Sequence, residues 1–249
     1  MSVLSGALLL LGTFAPGLMA LAFSYRQDGT HGLRRLLWPI LRWEVGARWY
    51  VFAVIYMAVI KLVTAIGVRV ISGSWPRFGH DGPIVILVAI IISTPFQSGE
   101  EVGWRGYALP RIAERTGYAR ASIVIGVIWA VWHLPLFFLP GADKYGQSFP
   151  IWSLEVVAFS VAITWLYAHT NGSLLLTMIM HSAVNQTLGI VPSASPNASN
   201  AFSLGVSSVM WLTTALLWAG AIFFLVRMPR FRHRQIDAAE PHQISAARP

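Results

Sequence analysis

Seven side chains in this sequence have types and spacings that could do chemistry. Glu100 and Glu101 are adjacent carboxylates, Arg105 follows four residues later, and Trp129 precedes His133 by four. His181 precedes Asn185 by four, and all seven stand in or at the edge of apolar stretches. On a helix, residues four apart share a face, so Glu101 can pair with Arg105. Glu100 lies about 100° further round the helix and is free to point elsewhere. A carboxylate and an imidazole can activate one water, and a His and an Asn on one face offer two donors to a developing oxyanion. Glu100, His133 and His181 are equally the ligand types of a catalytic zinc with an open fourth position. The chain has no Cys, which excludes disulfides, thiolate metal sites and cysteine nucleophiles.

These groups matter because of what surrounds them. Hydrophobic residues make up 55% of the 249 and charged ones 11%, with mean hydropathy +0.60, against about 25% charged in ordinary soluble domains. This excludes a disordered chain, a nucleic-acid-binding domain and a typical soluble enzyme. No nucleic-acid partner is expected despite the net charge of +8; the expected partner of the basic residues is the lipid bilayer. The expected fold class is all-α, a polytopic transmembrane helical bundle of about seven spans, seven to eight at most. Seven stretches are long and apolar enough, roughly 3–23, 49–68, 83–104, 121–141, 150–168, 172–190 and 202–226. The first lacks a basic leader and is read as a retained span.

One set of connecting segments carries 14 Lys and Arg and the opposite set 3. That bias places the N-terminus outside and the C-terminus in the cytoplasm. Residues 1–226 are expected to form one bundle, with its motif core at about 97–190, and 227–249 a basic polar cytoplasmic tail. Lys61 and Glu155, at similar depths in two spans, are expected to pair. Counting residues along the spans, the Glu and His groups are expected to meet in the half of the bundle nearer the basic loops.

Glu100-Glu101-x-x-x-Arg105, Trp129-x-x-x-His133 and His181-x-x-x-Asn185, in that order on apolar helices, resemble the CPBP (CAAX protease and bacteriocin-processing, or ABI) family of intramembrane endopeptidases, related to type II CAAX prenyl endopeptidases. Where the family usually carries Phe, this chain has Trp129. The resemblance implies an integral, multi-pass hydrolase, here expected in a bacterial plasma membrane. It would cut a peptide bond in a membrane-associated protein or peptide. The implied roles are Glu100 as general base, His133 sharing its water, and His181 and Asn185 as oxyanion donors. Glu101, Arg105 and Trp129 would give structural support. The family is often labelled a metalloprotease, so zinc held by Glu100, His133 and His181 is the rival to the preferred metal-free water mechanism. Taken singly, each polar group could be an interhelical hydrogen bond. Taken together, the competing functions are a proton-coupled transporter, with the same residues as a relay, and a non-catalytic immunity or scaffold protein.

Overall fold

A computed structural model describes residues 3–192 and 200–231. Every regular element among them is helical. The chain runs α1 (Val3–Leu37), α2 (Ala47–Ser72), α3 (Pro83–Ser93), α4 (Ser98–Glu101), α5 (Leu109–His133), α6 (Phe149–His169), α7 (Leu174–Thr187) and α8 (Ser208–Val226). The starts follow from local chemistry. Ser148, Ser173 and Ser207 cap α6, α7 and α8 by accepting from the backbone N–H three residues on. Pro83, Pro110 and Pro150 sit in first turns, where a missing N–H costs nothing.

Four stretches among the described residues are long and apolar enough to cross a bilayer: Ala47–Ser72, Pro83–Phe137, Phe149–His169 and Ser208–Val226. The protein is an integral membrane protein. Seven spans were expected. Pro83–Phe137 contains two of them in one stretch, Leu174–Ile190 is a shorter apolar helix, and α1 is not among the four. Within Pro83–Phe137 the helix breaks at Gly117, whose φ of +76° only glycine adopts cheaply. The segment 105–120, expected as a basic loop, is therefore helical up to that glycine. The turn between α6 and α7 matches the expected division: Asn171 (φ +52°) and Gly172 (φ +76°) both take left-handed backbone. The expected tail lies outside the described residues from position 232 onwards, as does the Asn197-Ala198-Ser199 sequon.

The connections gather at two ends. At one end, Gly79 N–H donates to Ile190 O and Phe149 N–H to Ala201 O. Phe202 packs on both Phe138 and Phe149, so the α2–α3, α5–α6 and α7–α8 connections meet there. At the other end, Arg42 bonds Asn171 O and Ser173 Oγ donates to Arg42 O. Arg35, Arg42, Arg111, Tyr118, Tyr167 and Phe231 line one cavity there. Buried aromatic and aliphatic residues of α2, α5, α6, α7 and α8 form the core between the two ends.

Candidate active site

The carboxylates are delivered by an irregular segment. After α3, Pro95 ends the α-helix and a 3-10 turn (Thr94–Gln97) leads into α4, which passes into a π-helix over Val102–Ala108. Wide turns of this kind recur at functional sites. Three glycines let α1 cross this segment at backbone contact. A Cβ on Gly17 would lie 2.7 Å from Gly99 O, one on Gly99 2.8 Å from Thr13 O, and one on Gly103 2.5 Å from the Pro16 carbonyl carbon. The sequence Gly99-Glu100-Glu101-Val102-Gly103 thus places both carboxylates inside the bundle, Glu100 7% and Glu101 0% exposed.

Arg105 Nη1 donates to Glu101 Oε1 at 2.9 Å, with both side chains fully buried. The same oxygen lies 2.9 Å from His181 Nδ1. A carboxylate accepts, so Nδ1 carries the proton. Arg105 Nη2 reaches Ser160 Oγ at 3.4 Å, and Ser160 donates to Ser122 O at 2.8 Å, which ties the cluster to α5 and α6. The expected Glu101–Arg105 pair is therefore part of a larger unit that also orients His181.

Glu100 takes a separate partner. Trp129 Nε1 donates to Glu100 Oε2 at 2.5 Å. The Arg105 guanidinium lies over the Trp129 ring at 4.4 Å, a cation–π contact that fixes the indole. Two imidazoles lie beside the indole: the rings of His181 and His133 are 5.1 Å and 6.1 Å from Trp129, both edge-on. His133 Nδ1 is 2.9 Å from Trp129 O. A carbonyl only accepts, so here too the proton is on Nδ1 and Nε2 is the ring nitrogen left for other partners. Trp152 packs on the His133 ring at 5.1 Å.

Glu100, His133, His181 and Asn185 all line a single cavity of about 640 Å³. Of the four, Asn185 is the exposed one. Trp129, Phe159, Met57, Val184, Met210 and Leu217 supply indole, phenyl and aliphatic wall. Lys61 and Glu155 are both buried and interact electrostatically. Glu155 also accepts from Thr214 Oγ1 at 3.0 Å and lines the cavity. From the motif residues the cavity runs to Asp143, Lys144, Gln147, Leu188, Gly189 and Pro192. These belong to the connections at the end away from the arginines, and no lining residue comes from the arginine-rich end. The expectation that the pocket lies on the basic side is thereby corrected. His133 is the last residue of α5 and projects towards the opposite loops, a direction that span-by-span depth counting does not carry.

Sequence reasoning missed Ser160 beneath Arg105, Trp152 beside His133 and Gln97 in the cavity wall. Gln97, one turn before Glu100, had a spacing signal. Trp152 and Ser160 had none, because their roles arise from how α6 is rotated. As for zinc, among the described residues no three His, Asp or Glu side chains are placed to hold one metal ion. Trp129 occupies one Glu100 oxygen, and Glu101 occupies His181 Nδ1. These contacts leave Glu100 Oε1 and the Nε2 atoms of His133 and His181 open, so the donor types of a catalytic zinc are present without being gathered on one point.

A carboxylate and two oriented imidazoles at the head of a deep cavity, inside an all-helical membrane bundle, define the class of an intramembrane site. Residues 80–187 match the family described as type II CAAX prenyl endopeptidase Rce1-like, and all seven motif residues fall within that match. Over 110 residues the chain is also 32% identical to CAAX prenyl protease 2 of Methanococcus maripaludis, covering 41% of this chain and 39% of that protein. Through this segment the chain is similar to the Rce1-like CAAX endopeptidase family. The match spans about two-fifths of the curated relative's length.

Proposed function

We propose that the chain is an intramembrane endopeptidase that hydrolyses a peptide bond in a membrane-associated protein or peptide. The observation that carries this is the convergence of Glu100, His133, His181 and Asn185 on one cavity. The similarity of residues 80–187 to the Rce1-like family supports it. In the reaction, Glu100 removes a proton from a water as its oxygen attacks the scissile carbonyl carbon. The C–N bond then breaks, and Glu100 returns the proton to the leaving nitrogen. With Oε2 held by Trp129, Oε1 is the oxygen that meets the water. His133 Nε2 accepts from the same water and orients it. His181, whose Nδ1–H is anchored on Glu101, donates from Nε2 to the oxyanion in its doubly protonated form. Asn185 supplies the second donor from the same helix face. The Lys and Arg bias of the sequence supports a cytoplasmic C-terminus, and the membrane is read as a bacterial plasma membrane.

The test is cleavage of a membrane-anchored reporter peptide by purified protein in detergent. Glu100→Gln, His133→Ala and His181→Ala should each lose about 10²–10⁴-fold in rate while eluting as the wild type does. Metal content, measured by mass spectrometry on all four proteins, should show no stoichiometric zinc. No cleavage by the wild type would end the hydrolase reading, full turnover by Glu100→Gln would end the role of Glu100 as base, and one zinc per wild-type chain lost in the variants would replace the water mechanism.

A further inference from the structure

The cavity has a direction, and the charges give that direction a meaning. Its inner end is built from Glu100, Trp129, Phe159 and His181 in the middle of the bundle. Its outer walls are Asp143, Lys144 and Gln147 of the α5–α6 connection and Leu188, Gly189 and Pro192 after α7. These segments lie on the same end as the α2–α3 and α7–α8 connections, to which backbone hydrogen bonds join them. Among the described residues, that end carries three basic side chains, Arg69, Arg77 and Lys144. The opposite end carries ten, namely Arg26, Arg34, Arg35, Arg42, Arg48, Arg111, Arg115, Arg120, Arg227 and Arg230. Arg105 and Lys61 are buried within the bundle and belong to neither. Short basic loops stay on the cytoplasmic side of a membrane.

Resting on the endopeptidase reading, we infer that the site is reached from the extracytoplasmic face, and that its substrate is an exported or translocated polypeptide rather than a lipidated tail at the cytoplasmic surface. The mouth fits such a ligand. Lys144 Nζ pairs with Asp143 at 2.9 Å and lies over the Trp152 ring at 5.6 Å, so both signs of charge stand at the rim. Below them Met57, Trp152, Phe159, Val184, Met210 and Leu217 line an apolar channel. An extended apolar segment can enter this channel with its polar flank left at the rim. Water for hydrolysis arrives by the same route, since no lining residue comes from the other end.

The absence of cysteine makes the test direct. Tyr145→Cys reports the rim, Gln147→Cys the cavity wall and Glu44→Cys the arginine-rich end. Each is produced in intact bacterial cells and treated with a sulfonated, membrane-impermeant maleimide. Tyr145→Cys and Gln147→Cys should react in intact cells, and Glu44→Cys only after permeabilisation. The reverse pattern overturns the inference, and so does reaction at Tyr145→Cys with none at Gln147→Cys, which would mean a channel closed at that end. A second arm uses reporter peptides carried on a single-span anchor, with the cleavable segment on either face of the membrane. Wild-type cells should cut only the outward-facing reporter, whereas detergent-solubilised enzyme should cut both. Cutting of only the inward-facing reporter in cells sinks the inference and leaves the endopeptidase reading intact. Failure to cut either reporter in detergent sinks that reading, and the labelling pattern then decides the direction of the cavity by itself.

Discussion

At the scale of single residues, Trp129 departs most informatively from the pattern of the family that the sequence resembles. A Phe in its place would keep an aromatic ring against Arg105 and His181 but could not donate. The indole N–H is what holds Glu100 Oε2, at 2.5 Å in a buried setting. Hydrogen bonds to charged groups contribute about 1.5–3 kcal/mol. If that holding is felt fully in the transition state, its loss is about 10–100-fold in rate. Trp129→Phe should therefore lower kcat by at least about tenfold with KM nearly unchanged, because the ring remains in the cavity wall. Steady-state cleavage of the reporter peptide measures both constants. An unchanged kcat would show that the carboxylate is positioned without the indole.

At the scale of elements, the crossing of α1 over the Glu100–Glu101 segment decides whether the carboxylates reach the bundle interior. The contact is backbone on backbone, and a methyl at Gly103 would meet Pro16 atoms at 2.5–2.6 Å. Backbone cannot rotate out of the way, so α1 must shift. Overpacking of this kind costs about 1–3 kcal/mol, or roughly 2–10 °C in Tm for a chain of this size. Gly103→Ala should show that loss by thermal unfolding in detergent, together with reduced cleavage. Gly12→Ala, on the same helix with nothing within 4 Å of its added Cβ, should show neither. The contrast also marks what the sequence could convey. Pairings along one helix were legible from spacing alone, as Glu101 with Arg105 shows. Pairings between helices, Glu101 with His181 and Glu100 with Trp129, depend on helix rotation and crossing and leave no trace in spacing. Hydropathy marked where the chain meets lipid and not where its helices stop. For that reason 105–116 was expected as loop yet is helical, since its Arg and Glu residues suit a helix at a membrane surface as well as a turn.

At the scale of the whole molecule, the bundle must hold a water-filled cavity without coming apart, and lipid gives little hydrophobic drive for helices to associate. Packing and polar contacts have to supply it. On the arginine-rich side of the cavity that role falls to the Arg105–Glu101–His181 unit, which joins the π segment to α7 and, through Ser160, to α6. Nearer the mouth, Glu155 of α6 accepts from Thr214 of α8 and sits in the field of Lys61 on α2, which is fully buried. One cluster thus joins three helices. Removing one partner of a buried ion pair leaves the other charge uncompensated, at about 3–5 kcal/mol, whereas neutralising both is often nearly free. Lys61→Met should accordingly destabilise the protein by about that amount. Lys61→Met combined with Glu155→Gln should recover most of it, since Gln can still accept from Thr214. Urea or thermal unfolding of the purified single and double variants reads the coupling directly. If the double variant is as unstable as Lys61→Met alone, the two charges do not compensate each other, and α2 is held to α6 by packing instead.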